Sequence, residues 1–270
     1  MKIISRAKIN LGLNIVSKRD DGYHNIETVF YPINLFDEIE FIESDTFSIE
    51  CDKEDIPTDK SNLIWKAKDI LQNEIKKEIN YKVQLAKRIP SFAGLGGGSS
   101  NAAATLKALN ELCNINFSKN ELRELAAKIG ADVPFFLEDK PCFARGRGEE
   151  LFPLSDFHLD NRIIVVYPGI RISTAWAYAQ IKPKQPKFNL SSLKSYNNFI
   201  KNKNQIINDF EKVVFQHHPE IAEIKNILMK HGAIYSSLSG SGSAVYGIHS
   251  SGTDIHLVKS LLSKYEVIEC

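Results

Sequence analysis

The chain has 270 residues, and 34 Lys and Arg against 33 Asp and Glu leave a net charge of +1. At roughly 100–200 residues per domain this length predicts one or two domains with a sizeable core. A hydrophobic content of 43% with 25% charged residues excludes disorder, collagen and coiled coil for the chain as a whole, and the neutral balance argues against a dedicated nucleic-acid binder, which needs a surplus of Lys and Arg.

Residues 1–50 read as β structure, short apolar runs separated by turn signals, with Asp20-Asp21-Gly22 as a hairpin turn. A helix is predicted over Asn62–Lys77, capped by Ser61, with Leu63, Ile64, Ala67, Ile70 and Leu71 at helical spacing. A strand follows over Tyr81–Lys87. Ser99 or Ser100 can cap the next helix, whose face is Ala102, Ala103, Leu106, Leu109 and Leu112. Ser118-Lys119-Asn120-Glu121 is a capping box, and it opens a helix that Gly130 stops in a left-handed turn. Arg162–Tyr167 reads as a buried strand. Pro219 fits the first turn of a helix ending at Gly232. A strand over Ala244–Ile248, a helix over Thr253–Leu262 and a strand over Tyr265–Ile268 finish the chain. Strands and helices mix without strict alternation, which predicts an α+β fold in two lobes, 1–157 and 158–270.

A membrane-spanning helix needs about 20 largely apolar residues. The run Ile163–Tyr167 is far shorter and stops at Pro168 and Gly169. Arg6, Lys8 and Asn10 interrupt any signal-peptide core, so a cytoplasmic protein is expected. Cys51, Cys113, Cys142 and Cys270 are scattered without a CxxC pair, which predicts free thiols. There is no HExxH, and no structural metal is expected. Carboxylates crowd Asp37–Asp59, with Lys53 as the one base, and read as a solvated acidic edge. Lys182–Lys203 carries lysine alone among charged residues; it reads as a flexible basic loop, or as a lure for an anionic ligand.

The strongest signal is Pro90-Ser91-Phe92-Ala93-Gly94-Leu95-Gly96-Gly97-Gly98-Ser99-Ser100-Asn101, between a strand and a helix. Glycines at 94, 96, 97 and 98 remove side chains that would keep an anion from the backbone. The helix that follows aims free amides and its positive dipole end at the same spot. Together these describe a phosphate cradle. It is not a Walker A loop, because no Lys follows the glycines, and its spacing is wrong for a dinucleotide fingerprint.

This loop resembles the central ATP loop of the GHMP kinase superfamily. Ala7-Lys8-Ile9-Asn10-Leu11 and Ser239-Gly240-Ser241-Gly242-Ser243-Ala244 resemble its N- and C-terminal motifs, in the same order. Asp21-Gly22-Tyr23-His24, Gly130-Ala131-Asp132-Val133-Pro134 and Gly146-Arg147-Gly148-Glu149 are similar to the branch that phosphorylates a cytidine-diphosphate-linked alcohol in isoprenoid precursor synthesis. The resemblance implies a ribosomal-protein-like N-terminal lobe, a ferredoxin-like C-terminal lobe and an active site in the cleft between them. It also implies ATP and Mg²⁺ as cofactors, a small-molecule substrate, no nucleic acid, no membrane, and a monomer or weak homodimer.

The resemblance carries the catalytic roles onto Lys8 and Asp132. An aspartate of ordinary pKa is ionised at pH 7 and can accept the substrate proton. The Lys8 cation would lie beside it and offset charge on the transferring phosphoryl group. Asn10, on the same strand face as Lys8, is a partner for substrate. The resemblance puts Tyr23 on the cytosine ring, His24 on its edge, and a second aromatic from the segment containing Thr174, with Tyr178 the choice and Trp176 in the core. Residues 90–100 would hold the ATP phosphates, with Asn62 and Lys87 beside the adenine. The Mg²⁺ ligands stay open, with the Ser99 hydroxyl a candidate. Ser91, Phe92 and Ala93 replace a more glycine-rich stretch, and Phe92 either narrows the adenine side or simply packs. Two other readings stand beside this one. One is a GHMP kinase for a smaller alcohol such as homoserine or mevalonate, which would not need Tyr23, His24 and Tyr178. The other is a non-catalytic nucleotide- or RNA-binding protein on the same fold.

Overall fold

The computed structural model describes residues 1–138 and 140–270. The elements in chain order are β1 (Lys2–Lys18), β2 (His24–Glu43), β3 (Ser48–Cys51), α1 (Leu63–Ile75), β4 (Tyr81–Ala86), α2 (Gly97–Leu112), α3 (Lys119–Ile129), α4 (Phe135–Glu138), β5 (Cys142–Arg145) and β6 (Glu150–Pro153). They continue as β7 (Arg162–Tyr167), α5 (Thr174–Ala179), α6 (Tyr196–Asn202), α7 (Phe210–His217), α8 (Pro219–Lys230), β8 (Ala233–Leu238), β9 (Val245–His249), α9 (Ile255–Leu261) and β10 (Glu266–Glu269). Helix and strand are mixed, as the α+β reading requires. The segment 1–50 holds two long strands of 17 and 20 residues rather than several short ones. The turn between them closes as expected, with Arg19 N donating to the Tyr23 carbonyl at 2.8 Å.

The chain packs into two compact units that interleave in sequence: 1–7, 34–90 and 96–139 form one, and 8–33, 91–95 and 140–270 the other. In the first, β4 pairs with parallel β3 on one side and with antiparallel β2 on the other. Helices α1, α2 and α3 bury Ile64, Leu71, Leu106, Leu109, Leu125 and Ile129. Burial of such side chains stabilises by roughly 1.5–3 kcal/mol each. In the second, β10-β7-β9-β8 form an antiparallel sheet. Its core gathers Ile164, Val166, Val214, Ile224, Leu228 and Val258.

The helix starts decide where the site residues stand. Asn62, not Ser61, caps α1: its side chain accepts from Ile64 N at 3.0 Å, while the Ser61 hydroxyl donates to Asp59. Helix α2 begins at Gly97 behind Gly96, which is left-handed at φ 75° and supplies no side-chain cap. Ser99 and Ser100 therefore lie inside the first turn instead of capping it, because glycine takes the left-handed start that serine would resist. The capping box at Ser118 and Glu121 forms in both directions. Helix α3 does stop at Gly130, but in extended backbone at φ −176°, not in a left-handed turn. Among the described residues no helix is long and apolar enough to cross a membrane. All four cysteines are free thiols.

Candidate active site

In the second unit the side chains of β1 build a buried polar corner. Lys8 is only 3% exposed, and its ammonium donates to Asn10 Oδ1 at 2.6 Å and to the Gly94 carbonyl at 2.8 Å. The period of two along the strand puts Lys8 and Asn10 together. Asn10 Nδ2 in turn donates to Thr28 Oγ1 at 2.9 Å, and Thr28 donates to the Gly12 carbonyl. Ser239 Oγ donates to the same Gly94 carbonyl at 2.9 Å. Gly94 sits at φ 77°, and a Cβ there would overlap the Ser239 carbonyl. The central and C-terminal glycine-rich motifs thus meet on one backbone oxygen. Ser239 lies within the C-terminal glycine-rich motif, whereas Thr28 belongs to no motif and nothing local in the sequence marks it.

The aromatic residues lie in the same unit. Helix α5 is capped by Ser173 and carries Thr174 and Tyr178. Thr174 and Ser241 share a hydrogen bond of 3.1 Å between hydroxyls. Tyr178 and His24 stack with ring centroids 4.9 Å apart and 17° from parallel. Burial, and behind it the charge of Lys18, holds the His24 pKa below its ordinary value. Its imidazole is therefore neutral at pH 7 and offers one donor and one acceptor. Tyr23 is 58% exposed, with the Arg147 guanidinium 5.2 Å from its ring centre. Trp176 packs against the core of the unit, as expected. Phe92, in a left-handed conformation at φ 56°, is exposed and stacks with the Arg171 guanidinium at 4.9 Å.

In the first unit a second buried network underlies Gly97–Ser100. Lys87 forms an ion pair with the wholly buried Asp37. Asp37 also accepts from Arg88 N, Ile89 N and Asn101 Nδ2, at 2.7, 2.9 and 2.9 Å. Asn101 Nδ2 reaches Ser5 at 2.7 Å, and Ser5 donates to Ser100 Oγ at 3.0 Å. A Cβ on Gly97 would lie 3.2 Å from Lys87 Nζ. Asp37 is thus no part of a solvated acidic edge: it shares strand parity with the buried Ile39 and Phe41, while Glu38 points out. That parity is the signal that would have found it. Asn62 uses its amide to cap α1 and to donate to the Pro57 carbonyl at 2.7 Å. Asp132 stands half-buried in the turn after Gly130, where Val133 N donates to the Gly130 carbonyl at 3.1 Å.

The lysines of 182–203 are partly committed: Lys184 pairs with Asp209 at 2.9 Å, and Lys203 donates to the Ile234 carbonyl at 2.8 Å. Among the described residues no group of three or more His, Cys, Asp or Glu side chains gathers where it could hold a metal ion.

The chain is similar to known proteins along most of its length. Residues 62–140 match the family model for the GHMP kinases N terminal domain, and 190–266 that for the GHMP kinases C terminal. The 4-diphosphocytidyl-2-C-methyl-D-erythritol kinase of Chlorobaculum tepidum is 45% identical over 255 residues, 92% of this chain and 88% of the relative. The kinase of the same name from Parabacteroides distasonis is 43% identical over 245 residues, 90% and 89% of the two chains. A crystal structure of 4-(cytidine 5'-diphospho)-2C-methyl-D-erythritol kinase superposes with a TM-score of 0.84 at 30% identity, over 100% of this chain and 98% of that one. The Methanococcus jannaschii mevalonate kinase, at 16% identity and a TM-score of 0.72 over 100% and 97%, shares the fold. With family models on both halves and relatives at this identity over nine-tenths of its length, the chain is a member of the GHMP kinase family.

Proposed function

We propose that this chain transfers the terminal phosphoryl group of ATP to the 2-hydroxyl of 4-diphosphocytidyl-2-C-methyl-D-erythritol. The observation that carries the choice of acceptor is the His24–Tyr178 stack. A planar pair with a neutral imidazole suits a nucleobase, whose face it covers and whose edge it can meet with both a donor and an acceptor. Homoserine and mevalonate offer no ring to such a surface. The names carried by relatives above 40% identity support the same choice.

Phosphoryl transfer asks a protein chiefly for positioning and for neutralisation of charge. Asp132 takes the proton of the attacking hydroxyl. Lys8 offsets charge on the group in transit, and Asn10 orients the substrate from the same strand face. Backbone amides from 94–100 hold the phosphates, with the first turn of α2 contributing its dipole. Tyr23, His24, Thr174 and Tyr178 hold the cytidine end. Lys87 and Asn62 serve the adenine side, Asn62 through the start of α1 that it caps and Lys87 from the buried network it forms with Asp37 and Asn101. Mg²⁺, when bound, would supply neutralisation of phosphate charge, and the Ser99 hydroxyl in the first turn of α2 would be the ligand this chain offers it.

The test is a panel of acceptor alcohols with purified protein and ATP. Transfer to the cytidine compound is expected. Transfer to homoserine or mevalonate, with none to the cytidine compound, would overturn the proposal.

A further inference from the structure

The segment Asn208-Asp209-Phe210-Glu211 carries no motif signal, yet it touches both ends of the polar and aromatic arrangement in its unit. Asn208 is 2% exposed. Its amide has two N–H donors, and each is used: one goes to the Leu238 carbonyl and one to the Gly240 carbonyl, both at 2.8 Å. Those carbonyls flank Ser239, whose hydroxyl meets the Gly94 oxygen that Lys8 also meets. The acceptor of Asn208 takes Phe210 N at 3.0 Å. Phe210, 1% exposed, sets its ring against Tyr178 edge-on, with centroids 4.9 Å apart at 84°. Tyr178 is the ring that stacks on His24.

The turn itself is tied down on both flanks. Asp209 accepts from Ile15 N at 2.8 Å. Glu211 accepts from Ser237 Oγ at 2.9 Å and from Leu238 N at 3.0 Å, and pairs with Lys225 at 2.6 Å. A turn fixed this firmly can transmit its own geometry to what it touches.

We propose that Asn208 and Phe210 are positioning residues of one turn with two separable effects. Asn208 sets the Ser239–Gly94–Lys8 corner and so governs the rate of phosphoryl transfer. Phe210 sets the tilt of Tyr178 and so governs affinity for the base of the acceptor. Neither touches a reacting atom. The assignment rests on the proposed kinase activity, and the experiment separates the two.

The full-length protein is assayed with ATP and the cytidine acceptor as wild type, Asn208→Ala and Phe210→Leu, with melting temperatures recorded for each. For Asn208→Ala, kcat should fall about tenfold to a hundredfold while the acceptor KM changes by less than about threefold. For Phe210→Leu, the acceptor KM should rise about threefold to tenfold, with kcat and the ATP KM within about twofold. Should Asn208→Ala fail to fold, Ser239→Ala tests the same arm one link on and should show the same loss in kcat. Both variants moving kcat and both KM values together, in step with lost melting temperature, would reduce the turn to a structural role and overturn the proposal. A wild type that phosphorylates only an alcohol without a base would overturn the function proposed above and the Phe210 arm, while the kcat effect of Asn208→Ala with that alcohol would still support the other arm.

Discussion

His24 and Tyr178 lie face to face, 4.9 Å between ring centres and 17° from parallel. Burial and Lys18 keep the His24 pKa below its ordinary value, so the neutral ring predominates at and above the usual histidine value near 6.5. Affinity for the cytidine acceptor should be flat from pH 7 to 8.5 and weaken only as pH drops below 6.5. Steady-state KM measured across that range checks this, and a KM that already rises between pH 8 and 7 would contradict it. His24→Asn should remove the acid-side weakening.

The base assignment predicts that Asp132→Asn lowers kcat by about 10²–10⁴, the range for lost general-base help. Binding of ATP, measured by calorimetry, should change little. Near-normal turnover in this variant would take Asp132 out of the mechanism.

Gly94 combines φ 77° with a site where a Cβ meets the Ser239 carbonyl. Gly94→Ala should therefore strain the loop by about 1–3 kcal/mol and displace the oxygen that Lys8 and Ser239 share. A fall in kcat larger than any fall in thermal stability is the expected pattern. A variant with wild-type turnover would show that this close approach does not matter to the reaction.

Asp37 and Lys87 form a buried pair. Removing one partner strands the other, at a cost of about 3–5 kcal/mol. Asp37→Leu and Lys87→Met should each destabilise strongly, and the double variant by clearly less than the sum. Denaturant unfolding of all four proteins completes the cycle; strictly additive losses would refute the coupling.

His249 is wholly buried, and neither ring nitrogen has a hydrogen-bond partner among the described residues. Burial first, then the charge of Arg162, lowers its pKa. The unfolded chain thus binds the proton that the folded one resists. Stability is at its full value above pH 6.5 and falls as pH drops below that point. His249→Leu should flatten this acid-side slope without loss at pH 8, because it replaces an unsatisfied polar ring by an apolar side chain. An unchanged slope in thermal unfolding from pH 7.5 to 5.5 would count against it.

How much of this was legible depended on range. The capping box at Ser118 and Glu121 spans four residues and formed as read. The loop before α2 was equally plain as a link between strand and helix, because its glycines lie close together in sequence. Asn208 was illegible: its partners, Leu238 and Gly240, lie about thirty residues on, and nothing local marks an amide that will meet them. Asp37 is hidden from composition for a different reason. Composition averages a carboxylate with its neighbours, whereas the pleat sends Asp37 and Glu38 to opposite faces. The Ser61 cap failed by one residue, since Asn62 holds the extended backbone that a cap requires.

The interleaving of the two compact units has a consequence for anyone who would take the chain apart. Segments 1–7 and 8–33 belong to different units, as do 90 and 91, and 95 and 96. No single break in the gene yields a fragment containing one unit whole and none of the other. A cut after residue 139 leaves every segment of the first unit on one side, but it carries 8–33 and 91–95 away from the rest of the second and so divides that core. The second unit therefore cannot be inherited as one contiguous stretch, because its N-terminal segments are threaded between those of the first.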